Sequence, residues 1–470
     1  MQTVPYLSSR WLPDESWYAA PGLSIARGNG VADPAIGAND IENQFDARPP
    51  GTAIVISGAF RLFGTSQVSA RLGSILAGVS VIFLTFYLAL DQIGPLGAIV
   101  ATFVVATDNL VVLTSRTARP DIFTVAAALA SLLAINQYGR KGSAYWAVSG
   151  GLLMAVGTVF HITLFGYLLS CGVLVIVIDA MGGKSILKGG SSFLLGYTAG
   201  LVPFVAWIFG NPLGVAGFRE EYLQRATGAP MLSRFLQEGH RYSDLLGFNM
   251  VSFHDLESFP VRFPLPFCFL GASLLLWKMR RDWFYLELLL FLPTLLWFIA
   301  SSNKSSRYLA LVAPLIALVF GAAVASIRSH RGWCRTALLV CAAITAAQLS
   351  ANVYLLYRAR EANYTSVEAK LREMIPPGKS VYGSISFWLA LHDHSFISYE
   401  RTDPLMAANR FHTQYFIAGD RVLTQGTPGD EQFFDNLRSG MAQVIARSVF
   451  VGQISDPYYG QLMIYKIRMN

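Results

Sequence analysis

Charge is what this chain has least of. Only 14% of its 470 residues are charged, against 53% hydrophobic, and the mean hydropathy is +0.44. That balance excludes an ordinary soluble enzyme of this length. Cysteine is scarce as well. Cys171, Cys268, Cys334 and Cys341 lie in or beside apolar runs, so no exterior disulfide framework is available. No P-loop or dinucleotide fingerprint occurs in a segment that faces water, which excludes those two phosphate cradles. Internal repeats and low-complexity tracts are not evident, and residues 1–13 hold neither a leader nor an apolar run.

What is present is a series of long apolar runs. Stretches able to cross a bilayer, roughly 17 to 25 residues with some shorter at a boundary, lie at about 72–90, 96–113, 122–137, 144–160, 163–181, 190–209, 264–277, 283–300, 308–327 and 336–356. The fold class expected is a polytopic α-helical membrane protein of about ten spans. Connectors 138–143, 182–189, 278–282 and 328–335 are short and basic, as cytoplasmic loops are. The formal charge of +7 is therefore read as loop charge, and no nucleic-acid partner is expected. Alternation places residues 1–71, Ser115–Asp121, the long loop 210–263, residues 301–307 and everything after 357 on the exterior face. An exterior N-terminal segment of that length calls for a preceding span, so a further span is expected upstream.

After residue 357 the character changes. Turn signals Pro376-Pro377-Gly378 and Thr427-Pro428-Gly429 separate short strand-like runs (380–382, 396–399, 414–417, 443–446, 462–467) from helix-like stretches near 364–375, 385–391 and 430–440. Two domains are expected: a membrane module over 1–356 with exterior loops 1–71 and 210–263, and a small exterior α/β domain over 357–470.

The topology gathers ionisable residues on one face. Residues 11–18, WLPDESWY, carry Asp14 and Glu15 between tryptophans. Asp46-Ala47-Arg48-Pro49-Pro50-Gly51 follows, then Thr52–Phe63, amphipathic and too short to span, an interfacial helix. The next exterior loop supplies Arg116, Arg119 and Asp121; later ones supply His161, and Lys304 with Arg307-Tyr308. Singly, each has an ordinary reading as a cap, a solvated charge or a pair. Asp108, two turns down its span from Arg116, is costly there and must be paired or functional. His161 alone is more often a bundle residue than a ligand, and His392-Asp393-His394 is too small a cluster for a metal.

In order, these features say more. Asp-Glu before an aromatic, a basic-Pro-Pro, Ala70-Arg71-Leu72 opening a span, Arg119-Pro120-Asp121 opening another, and Arg307-Tyr308 with Pro314 opening a late one resemble the GT-C membrane glycosyltransferases. The set is most similar to the branch of protein O-mannosyltransferases and the bacterial lipid A aminoarabinose transferase. The first span of that family is absent here. The resemblance implies inverting sugar transfer from a polyprenyl-phosphate carrier to a lipid, glycan or protein acceptor at the exterior face. It places the enzyme among membrane lipids, in a bacterial inner (plasma) membrane, with site and tail periplasmic or extracellular. The essential first-loop acid maps to Asp14, with Glu15 beside it, and the second acid to Asp121. Arg48 stands where lysine is common, a fork in place of a point charge.

Elementary chemistry asks for the same parts. A glycosyl phosphate carries its own leaving group, so the protein must neutralise the departing phosphate and activate a hydroxyl. Arg48, Arg116, Arg119, Lys304, Arg307 and Tyr308 are the candidate phosphate ligands. Asp14 takes the acceptor proton or, with Asp121, helps hold a divalent cation, Mg2+ or Mn2+; no other cofactor is expected. His161 and Asp108 are candidate cavity residues. Loop 210–263, with Arg219, Arg225, Arg234 and Arg241, is either a surface lid or a connector. The rival functions are a transporter or lipid flippase, which calls for charges near the midplane of several spans, where only Asp108 and a few residues such as Glu287 are candidates, and a non-catalytic anchor for the tail.

Overall fold

The computed structural model describes residues 11–33, 48–183, 185–210, 214–219, 230, 232–237, 252–253, 256–257, 265–300, 306–359, 363–400, 402–419 and 431–468. Two helices, α1 (Pro13–Ala26) and α2 (Gly51–Phe63), precede the first crossing. Pro13 starts α1 because a first-turn position needs no donor, and Asp14 and Glu15 suit the positive end of the helix dipole. The α2 helix is the short amphipathic element expected, and its Arg61 Nη2 donates to the Ile25 carbonyl at the end of α1 over 2.8 Å.

The next helix, α3 (Gln67–Thr107), has 41 residues. At about 1.5 Å per residue that is twice the length a hydrocarbon core of about 30 Å requires. Gly94 resolves the excess: its φ of 78° and ψ of 178°, followed by Pro95, break the helix into two crossings. Asp108 breaks it again. Its Oδ1 accepts from Leu110 N (2.9 Å) and Val111 N (3.2 Å), capping α4 (Asn109–Ser115), while Asn352 donates to the buried Thr107 carbonyl, freed by the break, over 2.9 Å. Backbone groups freed inside a membrane are thus met by side chains.

Then come α5 (Asp121–Lys141), α6 (Ala144–Phe160), α7 (Phe165–Met181), α8 (Ile186–Phe209), α9 (Leu265–Met279), α10 (Arg281–Ala300), α11 (Ala313–Ser326) and α12 (Arg331–Ala359). Among the described residues seven helices are long and apolar enough to cross a membrane. Dividing α3 at Gly94 and adding the shorter α6 and α9 gives ten crossings, which follow the apolar runs of the sequence. The α11 segment is 89% buried over its most apolar stretch, whereas α8, α10 and α12 are each 28% buried. So α11 is the axis of the bundle. It meets α3 where a Cβ on Gly321 would stand 2.4 Å from the Gly97 carbonyl, an approach only small residues permit. The basic connectors share one end, where Arg140 pairs with Asp91.

The tail is a five-stranded mixed sheet with helices α13 (Tyr364–Met374), α14 (Pro404–Asn409) and α15 (Glu431–Ala446). Its strands β1 (Ser380–Gly383), β2 (Ser395–Ser398), β3 (Tyr415–Gly419), β4 (Ser448–Asp456) and β5 (Gly460–Ile467) lie in the order β2-β1-β3-β5-β4. β1 is parallel to β2 and β3, and β5 is antiparallel to β3 and β4. One expectation is corrected here: residues 443–446 are the last turn of α15, and the strand begins at Ser448. Leu437, Met441 and Val444 face the sheet at helical spacing, which outweighs the short apolar run. The stretch 385–391 forms two 3-10 turns. Of the loop 210–263 only fragments are described; Arg234 in its helical piece 232–237 donates to the Ala300 carbonyl over 2.9 Å.

Candidate active site

Glu15 and Asp14 are neighbours with different environments. Glu15 is fully buried. Its Oε1 accepts from Arg71 Nε at 2.7 Å and Ala118 N at 2.8 Å; its Oε2 accepts from Arg71 Nη2 at 2.6 Å and Leu12 N at 3.0 Å. Four donors close this carboxylate, so it joins the start of α1, the start of α3 and the loop before α5. Arg71, one turn into an apolar span, belongs in sequence only to the motif Ala70-Arg71-Leu72. Its partner explains it: a buried fork needs a buried carboxylate.

Asp14 stands at the edge, its side chain about one third exposed, and accepts from Arg119 Nη1. The same guanidinium donates through Nε to Asp121 Oδ2 over 2.9 Å. Arg119 therefore bridges two carboxylates, one from α1 and one from the first turn of α5, 105 positions separating it from Asp14. Burial disfavours its charge, but Asp14 and Asp121 outweigh that and hold its pKa above the ordinary arginine value. The other oxygen of Asp121, Oδ1, is buried and meets no donor among the described residues. Such an acceptor is costly unless a ligand or water completes it.

Aromatic and basic groups surround this bridge. Tyr18, one turn beyond Asp14 on α1, is buried, and burial drives its phenol pKa well up; Arg119, Arg48, Tyr308 and Asp121 all act on it electrostatically. Arg48 is half-buried with its guanidinium 4.5 Å from the Trp17 ring centre. His161 ends α6, its Nδ1 capping Thr163 N at 3.2 Å and its Nε2 lying 3.4 Å from the Tyr308 hydroxyl. Burial lowers the His161 pKa to about 4, although Asp121 opposes the shift; Arg119 adds to it. His161 is thus neutral at physiological pH. Because its folded pKa is depressed, the stability this group protects is present above about pH 6.5 and declines as pH falls toward 4. His161→Gln is expected to flatten the melting temperature over that window, read by thermal unfolding in detergent.

The structure brings Asp14, Asp121, Arg48, Arg119, His161 and Tyr308 together. Arg116 is buried at the end of α4, in the same loop. Asp108 serves as the helix cap described above, at a break of the membrane helix. Lys304 lies outside the described residues, as does the Arg307 side chain; the backbone of Arg307 belongs to the 3-10 segment Ser306–Leu311 that delivers Tyr308. For the expected divalent cation the described residues alone supply no complete donor set. Asp14 and Asp121 are already bridged by a guanidinium, and no group of three metal-ligating side chains occurs among the described residues.

Sequence reading missed how the tail reaches this site. Trp11 is fully buried; its N–H donates to Tyr459 Oη over 2.9 Å, and the Tyr459 hydroxyl donates back to the Trp11 carbonyl over 2.8 Å. Trp11 Nε1 donates to Ser16 Oγ over 2.6 Å, and Ser16 Oγ donates to the Ile385 carbonyl over 2.8 Å. The sheet domain therefore grips the end of α1 that carries Asp14. Tyr459→Phe leaves the Trp11 backbone pair unmet, at about 1–3 kcal/mol; a lower melting temperature with reduced turnover is expected, read by thermal unfolding in detergent and a transfer assay.

The comparisons with known proteins bear on the fold. ArnT from Cupriavidus metallidurans in the apo state superposes with a TM-score of 0.66 over 99% of this chain and 95% of that one, at 15% identity. The chain shares the GT-C fold. ArnT from the same organism bound to undecaprenyl phosphate gives 0.63 at 14% identity, with 99% and 95% covered. The Archaeoglobus fulgidus oligosaccharyltransferase in complex with Zn and sulfate gives 0.52 at 12% identity, covering 97% of this chain and 69% of that one. Residues 47–209 match the family model of dolichyl-phosphate-mannose-protein mannosyltransferases. None of the curated proteins matches the sequence. The matched segment contains Arg48, Arg71, Arg119, Asp121 and His161 of this GT-C chain, and Asp14 lies ahead of it.

Proposed function

We propose that this GT-C chain transfers a sugar from a polyprenyl-phosphate-linked donor to a hydroxyl acceptor at the exterior membrane face, with inversion. The observation that carries the reading is the Asp14–Arg119–Asp121 bridge, set between Arg48 and the His161–Tyr308 pair at the end of the bundle away from the basic connectors. The family model and the solved neighbours, one bound to undecaprenyl phosphate, support it.

In the proposed step the acceptor oxygen attacks the anomeric carbon from the side opposite the phosphate. Its proton passes to the Asp14 carboxylate, the more exposed of the two acids. The bond between the anomeric carbon and the phosphate oxygen breaks, and its electron pair leaves with the polyprenyl phosphate. Arg48, stacked and half-buried, receives that charge, and Arg116, Lys304, Arg307 and Tyr308 are proposed beside it on sequence grounds. Arg119, already shared by two carboxylates, orients them. The open oxygen of Asp121 holds a hydroxyl of the bound sugar or acceptor. Glu15 we assign to structure, since its four donors leave it no capacity for a proton relay. Residues 1–356 carry the chemistry, and the exterior domain 357–470 holds α1 in place. The membrane is assigned as a bacterial plasma membrane, with site and tail on its periplasmic or extracellular side.

The test is transfer by the purified protein from a panel of polyprenyl-phosphate-linked hexoses and pentoses. Release of polyprenyl phosphate with a glycosylated product of inverted configuration supports the reading. Transport of a lipid-linked sugar across vesicles without release would favour the flippase alternative. Mass spectrometry of envelope glycans and glycoproteins from a strain lacking the chain identifies the product.

A further inference from the structure

At the end of the bundle opposite the Asp14 bridge lies a cavity of about 650 Å³ between α9, α11 and α12. Its depth is apolar and small-residue lined, with Ala272 and Leu275 of α9, Ala323 of α11 and Ala337 of α12. Its mouth is different: Lys278 and His330 enter the lining there, with Trp333, 72% exposed, beside them. The first-turn N–H groups of α12, which no helical carbonyl reaches, begin at the same place. The two connectors that meet at this mouth add Arg280, Arg281, Arg328, Arg331 and Arg335, against the single carboxylate of Asp282, which Arg280 holds.

We infer that this crevice binds one anionic phospholipid of the leaflet on the basic-connector side, its phosphate at Lys278 and His330 and an acyl chain in the apolar depth. Three features select that occupant. The volume falls in the range of roughly 300–1,000 Å³ usual for small-molecule sites. The walls are helices of the membrane bundle, so what reaches the depth is hydrocarbon. The mouth is cationic with an exposed tryptophan at headgroup level, the arrangement by which basic pockets between membrane helices select acidic headgroups. Gly271, exposed on α9, also belongs to the lining, and a Cβ there would meet nothing within 4 Å. The site plays no part in the proposed transfer, which takes place at the other end of the bundle.

The experiment is native mass spectrometry of the full-length protein in detergent, titrated with phosphatidylglycerol or phosphatidylcholine of the same acyl length. Retention of phosphatidylglycerol about fivefold above phosphatidylcholine is expected, the effect of one near-surface cation. Lys278→Glu is expected to abolish the preference. Gly271→Phe places a ring on the crevice wall without a clash at its Cβ and favours the helix; it is expected to lower retention of both lipids. Equal retention of the two lipids by the unaltered protein, unchanged retention in both variants, or full displacement of phosphatidylglycerol by inorganic phosphate would each overturn the assignment.

Discussion

Asp14→Asn is expected to lower kcat for sugar transfer by about 10²–10⁴-fold, the contribution usual for a positioned general base. The substitution is nearly isosteric, and an amide oxygen still accepts from Arg119. The 2.9 Å pair between Arg119 and Asp121 remains, so the guanidinium keeps a buried counter-charge and the fold survives. The loss therefore falls on turnover, with donor affinity and melting temperature close to those of the unaltered protein. Transfer at an unchanged rate by a folded Asp14→Asn protein would remove Asp14 from the mechanism. A melting temperature that falls together with activity would instead place Asp14 among the structural groups.

Glu15→Ala has its largest effect on stability. Removing one partner of a buried ion pair leaves the other uncompensated, at about 3–5 kcal/mol. Here Arg71, 1% exposed, would lose the Glu15 carboxylate, and Ala118 N and Leu12 N would lose their acceptor. Arg71→Met alone should cost a similar amount, because it strands the Glu15 charge. Glu15→Gln with Arg71→Met removes both charges and is expected to recover most of the loss, since such pairs often tolerate apolar replacement. Thermal unfolding in detergent reads all three variants. Unaltered stability in Glu15→Ala with transfer abolished would return Glu15 to the chemistry.

The two acids at positions 14 and 15 show where sequence reading stops. Adjacent carboxylates on one helix turn cannot be assigned separate roles from their identity, because the role depends on which donors arrive from elsewhere. Arg71 and Arg119, 48 positions apart, sort them: the first closes Glu15 inside the fold, the second leaves Asp14 at the edge. Tyr18 carried no signal beyond its place one turn after Asp14, and Trp11 gave none of its link to Tyr459. The break at Gly94, by contrast, was legible as a gap between two apolar runs. Asp108 could be read as costly, and the structure supplies the reason it persists, as the cap of a broken membrane helix. The last turn of α15 reads as a strand in sequence because Val444-Ile445-Ala446 fits either period, and only the sheet beneath it decides.

By itself the sequence determined the solvent of this protein, its series of apolar membrane helices and the order of motifs that suggests a glycosyltransferase. Those follow from local composition, since transfer of each run into hydrocarbon is nearly a property of that run alone. Only the tertiary structure decided which acid meets which base, how the C-terminal sheet domain holds α1, and where a lipid-sized crevice opens. These depend on distances between helices remote in sequence, and a buried charge takes its role from whichever donor packing brings within hydrogen-bond reach.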